Sequence, residues 1–245
     1  MNENRFLLQA KRISTGLAFI TFPLLFIFAF AVHPVLLQPH LLNPQELILR
    51  AHHNDLLQFG HVLVTMNTVL LVVIALHFMN LLDHTSSAWA GFIGAALAIF
   101  GAMILAADKG ALCLTMSALD TIPEKQFAAM MPGLLAMFSK AGWMALLWGI
   151  LFLPAGFAIQ AIALIRTRAI PRWQSILFLI GVLLVGTPDG LEIVNLTASI
   201  VMAVACVPYG IRLVLIDSIT RDTGRNSLQP GISWRVGASG THGGD

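Results

Sequence analysis

The run from Ile13 to Val32, ISTGLAFITFPLLFIFAFAV, holds twenty residues and no charged side chain. That is the length an α-helix needs to cross the roughly 30 Å hydrocarbon layer of a bilayer. No other feature constrains the fold as strongly, because a chain in lipid must satisfy its backbone N–H and C=O groups internally. Five further apolar stretches follow, at about His61 to Leu82, Ala88 to Ala107, Trp143 to Ile165, Trp173 to Val185 and Leu191 to Leu215. They predict an all-α, polytopic membrane bundle of six transmembrane helices with the lipid bilayer as its first partner. Composition agrees, since 11% of the 245 residues are charged and 57% hydrophobic, against roughly 25% charged in soluble domains.

Arg5, Lys11 and Arg12 stand before the first run, and Ala29-Phe30-Ala31 imitates a signal-peptidase site. The run is longer than the roughly 7 to 15 apolar residues of a signal peptide, so it is expected to stay as the first span. The chain then divides into a cytoplasmic segment 1–12, a six-span domain 13–215 and a flexible, Gly/Ser-rich cytoplasmic tail 216–245. With both termini on one side, ten of the fourteen Lys and Arg residues share that side, leaving Arg50, Lys109, Lys125 and Lys140 on the other. The positive-inside rule makes the shared side the cytoplasm. The net charge of +2 comes mostly from these flanks, which excludes a nucleic-acid surface.

Two long connections therefore lie outside the cytoplasm, 33–59 and 111–142. Asn43-Pro44-Gln45-Glu46 reads as a capped helix start, from which a helix is expected to run straight into the second span. Thr121-Ile122-Pro123-Glu124 reads as another start, Met131-Pro132-Gly133 as a break, Asp108-Lys109-Gly110 as the end of the third span, and Pro154 as a kink in the fourth. Gly91, Gly94 and Gly101 should let a neighbouring backbone come close.

Chemistry concentrates on the outer side. Asn54, Gln58, His61, Thr65 and Thr68 recur at spacings of four, three, four and three, so one helix face carries a polar stripe into the bilayer. Asp108, Lys109, Asp189, Glu192 and Asn195 reach a similar depth, and His33, His40, His52 and His53 join His61 on this side. Ionisable groups at membrane depth are costly and usually face the bundle interior, where they pair or bind something. These residues are candidates for a ligand-binding cavity. A metal set, zinc by donor type, would use His53, His61, Asp108 and Glu192. His52 is adjacent to His53, which on a continuous helix sends the two side chains apart, and is read as loop decoration. Haem is the weaker cofactor reading, because His61 and His77 point about 160° apart on one helix. Met130, Met131, Met137 and Met144 suit helix packing better than copper. Cys113 and Cys206 match no zinc or thioredoxin spacing, and no phosphate loop or nucleophile elbow occurs.

The segment Arg168-Ala169-Ile170-Pro171-Arg172-Trp173, with Arg12 and Gly16 around the first span and Glu192 opening the sixth, resembles a bacterial family of six-helix inner-membrane proteins, a domain of unknown function. The likeness covers most of residues 10 to 215, although the histidine-rich connection from His33 to His61 departs from the family pattern. It implies a multi-pass inner-membrane protein and brings no activity with it. Together these readings favour an integral membrane protein that binds a small or lipid-like ligand, or a membrane protein partner, through its outer polar cavity. The alternative is a metal-dependent membrane hydrolase with a His/Asp/Glu site.

Overall fold

The computed structural model describes residues 3–33, 36–37, 43–139, 149–185 and 191–226. They form eight helices: α1 (Glu3–Ala31), α2 (Pro44–Ala51), α3 (Asp55–Leu82), α4 (Ala88–Leu119), α5 (Glu124–Ser139), α6 (Phe152–Thr167), α7 (Arg172–Leu184) and α8 (Glu192–Asn226). Among the described residues there is no strand. The chain divides into two units, Met1–Val214 and Leu215–Asp245. In the second unit, α8 continues to Asn226 where the sequence predicts a flexible tail.

Four helices are long and apolar enough to cross a membrane: α1 over Phe6–Ala31, α3, α4, and α8 over Glu192–Leu215. The expected fourth and fifth spans correspond to α6 and α7, of sixteen and thirteen residues. As described these rise about 24 and 20 Å, and both adjoin residues outside the described ones, 140–148 ahead of α6 and 186–190 after α7. Trp143 and Trp148, which open the expected fourth span, lie outside the described residues. Pro154 falls in the first turn of α6, where its missing N–H costs no intrahelical bond; residues 149 and 150 are also helical, and the helix is interrupted at Leu151, just ahead of the proline.

In the first unit α1 packs on α3, α3 on α4, α4 on α6 and α6 on α7. Gly181 of α7 then meets Ala198 and Met202 of α8, and Gly210 of α8 meets Gly16 of α1. Six helices thus close a ring in chain order, with α3 and α6 also touching across it. Phe19, Phe22, Ile74, Phe78, Phe157 and Leu164 fill the interior. Small residues set the spacing, as the glycine pattern predicts. A Cβ on Gly94 would lie 2.8 Å from Gly156 O, and one on Gly16 2.7 Å from Gly210 O. The interior is not wholly apolar: Gln160 of α6, fully buried, donates to Ala75 O at 2.9 Å and Gly91 O at 3.1 Å, tying α6 to α3 and α4. Asn67 of α3 donates to Phe22 O at 2.9 Å, one residue before Pro23 of α1.

A second core caps the end of the ring where α3 begins and α4 ends. Ile48 and Ala51 of α2, Leu57, Met116, Leu119, and Phe127 and Leu134 of α5 form it. Here three expectations are corrected. The helix of the third span does not end at Asp108-Lys109-Gly110, since α4 runs on to Leu119. Lys109 Nζ lies 3.3 Å from Asp108 Oδ2, so the charges enter matched, and packing on α3 outweighs the roughly 1 kcal/mol that Gly110 costs a helix. Pro132 does not break α5. It sits exposed on the outer face while Phe127 and Leu134 anchor the helix in the cap. The capping box of Asn43 and Glu46 forms as expected, yet α2 does not continue into α3. His53 takes a left-handed backbone, φ 53°, and Asn54 starts a new helix by accepting from Leu57 N–H at 3.0 Å.

Candidate functional site

The break between α2 and α3 positions the polar centre of the cap. In a continuous helix His52 and His53 would diverge by about 100°. With His53 in the left-handed region the two rings come together instead, centroids 4.0 Å apart and planes inclined at 35°. His52 stacks on Phe127 from the other side at 3.7 Å and 8°. One imidazole is thus clamped between a second imidazole and a phenyl ring.

Asp120, at the C-terminal cap of α4, organises this centre. Its Oδ1 accepts the His53 backbone N–H at 2.9 Å and lies 2.7 Å from His52 Nδ1. Its Oδ2 accepts Gln58 Nε2 at 2.6 Å, and Gln58 Oε1 accepts the Ser117 hydroxyl at 2.8 Å. Burial pushes the Asp120 carboxyl up, but the His53 N–H, the Gln58 amide and His52 more than reverse this, and its pKa is held below the ordinary carboxylate value. The cap therefore keeps an ionised carboxylate beside two histidines at neutral pH.

Glu124, at the first residue of α5, completes the group. Its Oε1 lies 3.4 Å from His52 Nε2 and 3.5 Å from His53 Nε2. One ligand atom from each of the three residues falls within 4.8 Å of the other two. Tetrahedral zinc, with bonds of about 2.0 to 2.1 Å, sets its ligand atoms about 3.4 Å apart, so both separations suit edges of such a tetrahedron. The His52 side chain is 8% exposed; its Nδ1 faces Asp120 at 2.7 Å, while its buried Nε2 has no hydrogen-bond partner, the nearest Glu124 oxygen lying 3.4 Å away. Buried polar atoms are rarely left this way, and a metal ion on Nε2 would supply a partner.

The residues singled out from sequence are distributed among several environments. Asn54 is a helix cap and Gln58 a support of Asp120. Thr65 and Thr68 turn their hydroxyls back onto their own helix, to His61 O at 3.0 Å and Thr65 O at 2.6 Å, and His61 is half-buried. Asp108 is buried and paired with Lys109. Glu192, also buried, lies 3.7 Å from His33 Nε2 and accepts from Asn195 Nδ2 at 3.4 Å. Asp189 and His40 lie outside the described residues. Of the expected metal set, His53 joins the cap, while His61, Asp108 and Glu192 do not gather with it. Among the described residues, the group able to hold a metal ion is His52, His53 and Glu124. The sequence places His52 and Asp120 on the outer side and Glu124 at a helix start, but singles out none of the three for the site. The available signal was the pairing of His-His-Asn, a helix-capping turn, with the Asp120 to Glu124 start of α5.

Compared with models of protein families, with curated proteins and with solved structures, the chain matches none. Helices long and apolar enough to span a bilayer are consistent with an integral membrane protein.

Proposed function

We propose that this chain is a six-span inner-membrane protein with cytoplasmic termini whose extracytoplasmic cap holds a divalent transition-metal ion, zinc by donor type, on His52, His53 and Glu124. The observation that carries the reading is the pair of Nε2 to Oε1 separations, 3.4 and 3.5 Å, around a histidine whose buried Nε2 has no hydrogen-bond partner. Two imidazoles and a carboxylate leave the fourth position of a tetrahedral ion to water. Asp120 would act as the outer carboxylate that orients a liganding imidazole. A hydrolase also requires a general base, and both Asp120 oxygens are already engaged, so the reading stops at metal holding.

The six-span topology and its orientation belong to the same proposal. They are supported by the closed ring of six helices and by the ten basic residues that share one side of the six expected spans. The short α6 and α7 are flanked by Arg166, Arg168 and Arg172, whose long side chains can reach the headgroups of a locally thinned bilayer. The likeness to the six-helix family of unknown function is part of this reading too.

The test is elemental analysis of the full chain, purified in detergent without chelator, loaded with zinc and desalted. About one equivalent per chain is expected for the wild type and below about 0.1 for the His52→Ala/Glu124→Ala variant. Wild-type protein retaining less than about 0.1 equivalent would sink the proposal.

A further inference from the structure

At the end of the ring opposite the cap, the turn between α6 and α7 and the last turns of α8 in the first unit enclose an open cleft of about 500 Å³. Its lining is Arg168, Ala169, Ile170, Pro171, Arg172 and Arg212. Three arginines therefore line one open cleft, and among the described residues no carboxylate pairs with any of them. Like charges gathered without counter-charge repel one another, and an arrangement of this kind is relieved by a bound anion.

The backbone fixes the arrangement. Arg168 ends α6 in the left-handed region, φ 57°, which swings its side chain out of the helix line. Ile170 is buried and pins the turn. Pro171 precedes α7 with no side-chain cap, so the first N–H groups of α7 face the same end of the molecule with the positive end of the helix dipole. Beside the cleft, Trp173, Ile176, Ile180 and Leu183 are exposed. Their spacing of three, four and three places them on one face of α7, an apolar track leading away from the arginines along the helix.

We propose that this cleft binds the phosphate of an anionic phospholipid headgroup, Arg168, Arg172 and Arg212 holding the phosphate oxygens and the exposed face of α7 carrying the acyl chains. Fork-like guanidinium donors suit phosphate oxygens, and the Trp173 ring belongs at headgroup level. Free phosphate offers the same oxygens without the chains, and the experiment separates the two sources. This inference is independent of the metal centre and rests on the proposed six-span topology, which puts α7 in the bilayer.

The test is the thermal shift of the full chain in detergent, titrated in separate arms with phosphatidylglycerol, phosphatidylcholine and inorganic phosphate at fixed ionic strength. Phosphatidylglycerol is expected to raise Tm more than phosphatidylcholine, with at least a fivefold higher half-saturating concentration in Arg172→Gln/Arg212→Gln. Lys125→Gln, at the cap end, is expected to keep the wild-type response. A response to inorganic phosphate equal to that of the lipid, and lost in the same double variant, keeps the phosphate site but overturns the lipid as its occupant. A lipid response unchanged in the double variant, equally weakened by Lys125→Gln, or absent from the wild type overturns the proposal. Because all three arginines are exposed, the double variant is expected to fold, which its unliganded Tm reports directly.

Discussion

His53 shows how one backbone torsion decides chemistry. Its φ of 53° costs a non-glycine residue on the order of 1 kcal/mol, and the bond from its N–H to Asp120 Oδ1 offsets that cost. The result is two imidazoles facing one carboxylate instead of two histidines facing different ways. Asp120 holds this arrangement, and its effect has a definite sign with pH. A carboxyl whose folded pKa lies below its unfolded value contributes stability above the unfolded pKa and loses it as pH falls through the folded one. Metal-free wild type is therefore expected to lose protection of the α2 amides as pH is lowered from about 5 through the carboxylate range, measured by hydrogen exchange. Asp120→Asn should be less protected at pH 7, by about 1 to 3 kcal/mol, and flat over the same acid range. Equal acid dependence in both proteins would show that Asp120 is not the group responsible. The types of residue in this centre were legible in the sequence. Their partnership was not, because it depends on a helix break that the capping pattern at Asn43 did not reveal.

Among the elements, α4 and α6 carry the sharpest packing constraint. Gly94 and Gly156 face each other so closely that added side-chain atoms meet backbone, which also lets Gln160 reach carbonyls on two helices. Gly156→Ala is expected to destabilise the protein by about 1 to 3 kcal/mol, seen as a lowered Tm in detergent. Gly133→Ala is the counterpart, since nothing lies within 4 Å of its added Cβ. It should be neutral or stabilising by up to about 1 kcal/mol through helix propensity. If both variants behave alike, close approach is not what sets the α4–α6 spacing. The glycines of α4 announced this contact, but their partner did not. Nor did the sequence announce that α5 survives Pro132, because the decisive term is burial of Phe127 and Leu134 against residues far away in the chain.

For the whole molecule, the prediction concerns sidedness. In a background with Cys113→Ala and Cys206→Ala, a membrane-impermeant maleimide applied to intact cells is expected to label Gln126→Cys, an exposed position on α5. Ser86→Cys, in the exposed turn between α3 and α4, should be labelled only after lysis. The reverse pattern would invert the topology, and labelling of both positions in intact cells would exclude a membrane between the two ends of α4.

Taken alone, the sequence determined that the chain is helical and built from bilayer-length apolar segments, because hydrogen-bond satisfaction in lipid and a twenty-residue crossing length are local demands that composition and run length express directly. It also marked which residue types carry charge into the bundle. Tertiary structure decided which of them meet. Asp108 turned to its neighbour Lys109, Glu192 to Asn195 and His33, and the pair His52 and His53 to Asp120 and Glu124 across more than sixty residues of chain. The physical reason is that an ionisable group entering a low-dielectric interior takes whichever opposite charge or donor the packing brings within about 3 to 4 Å. The twenty-residue run fixes a helix, and the break at His53 decides what the cap can hold.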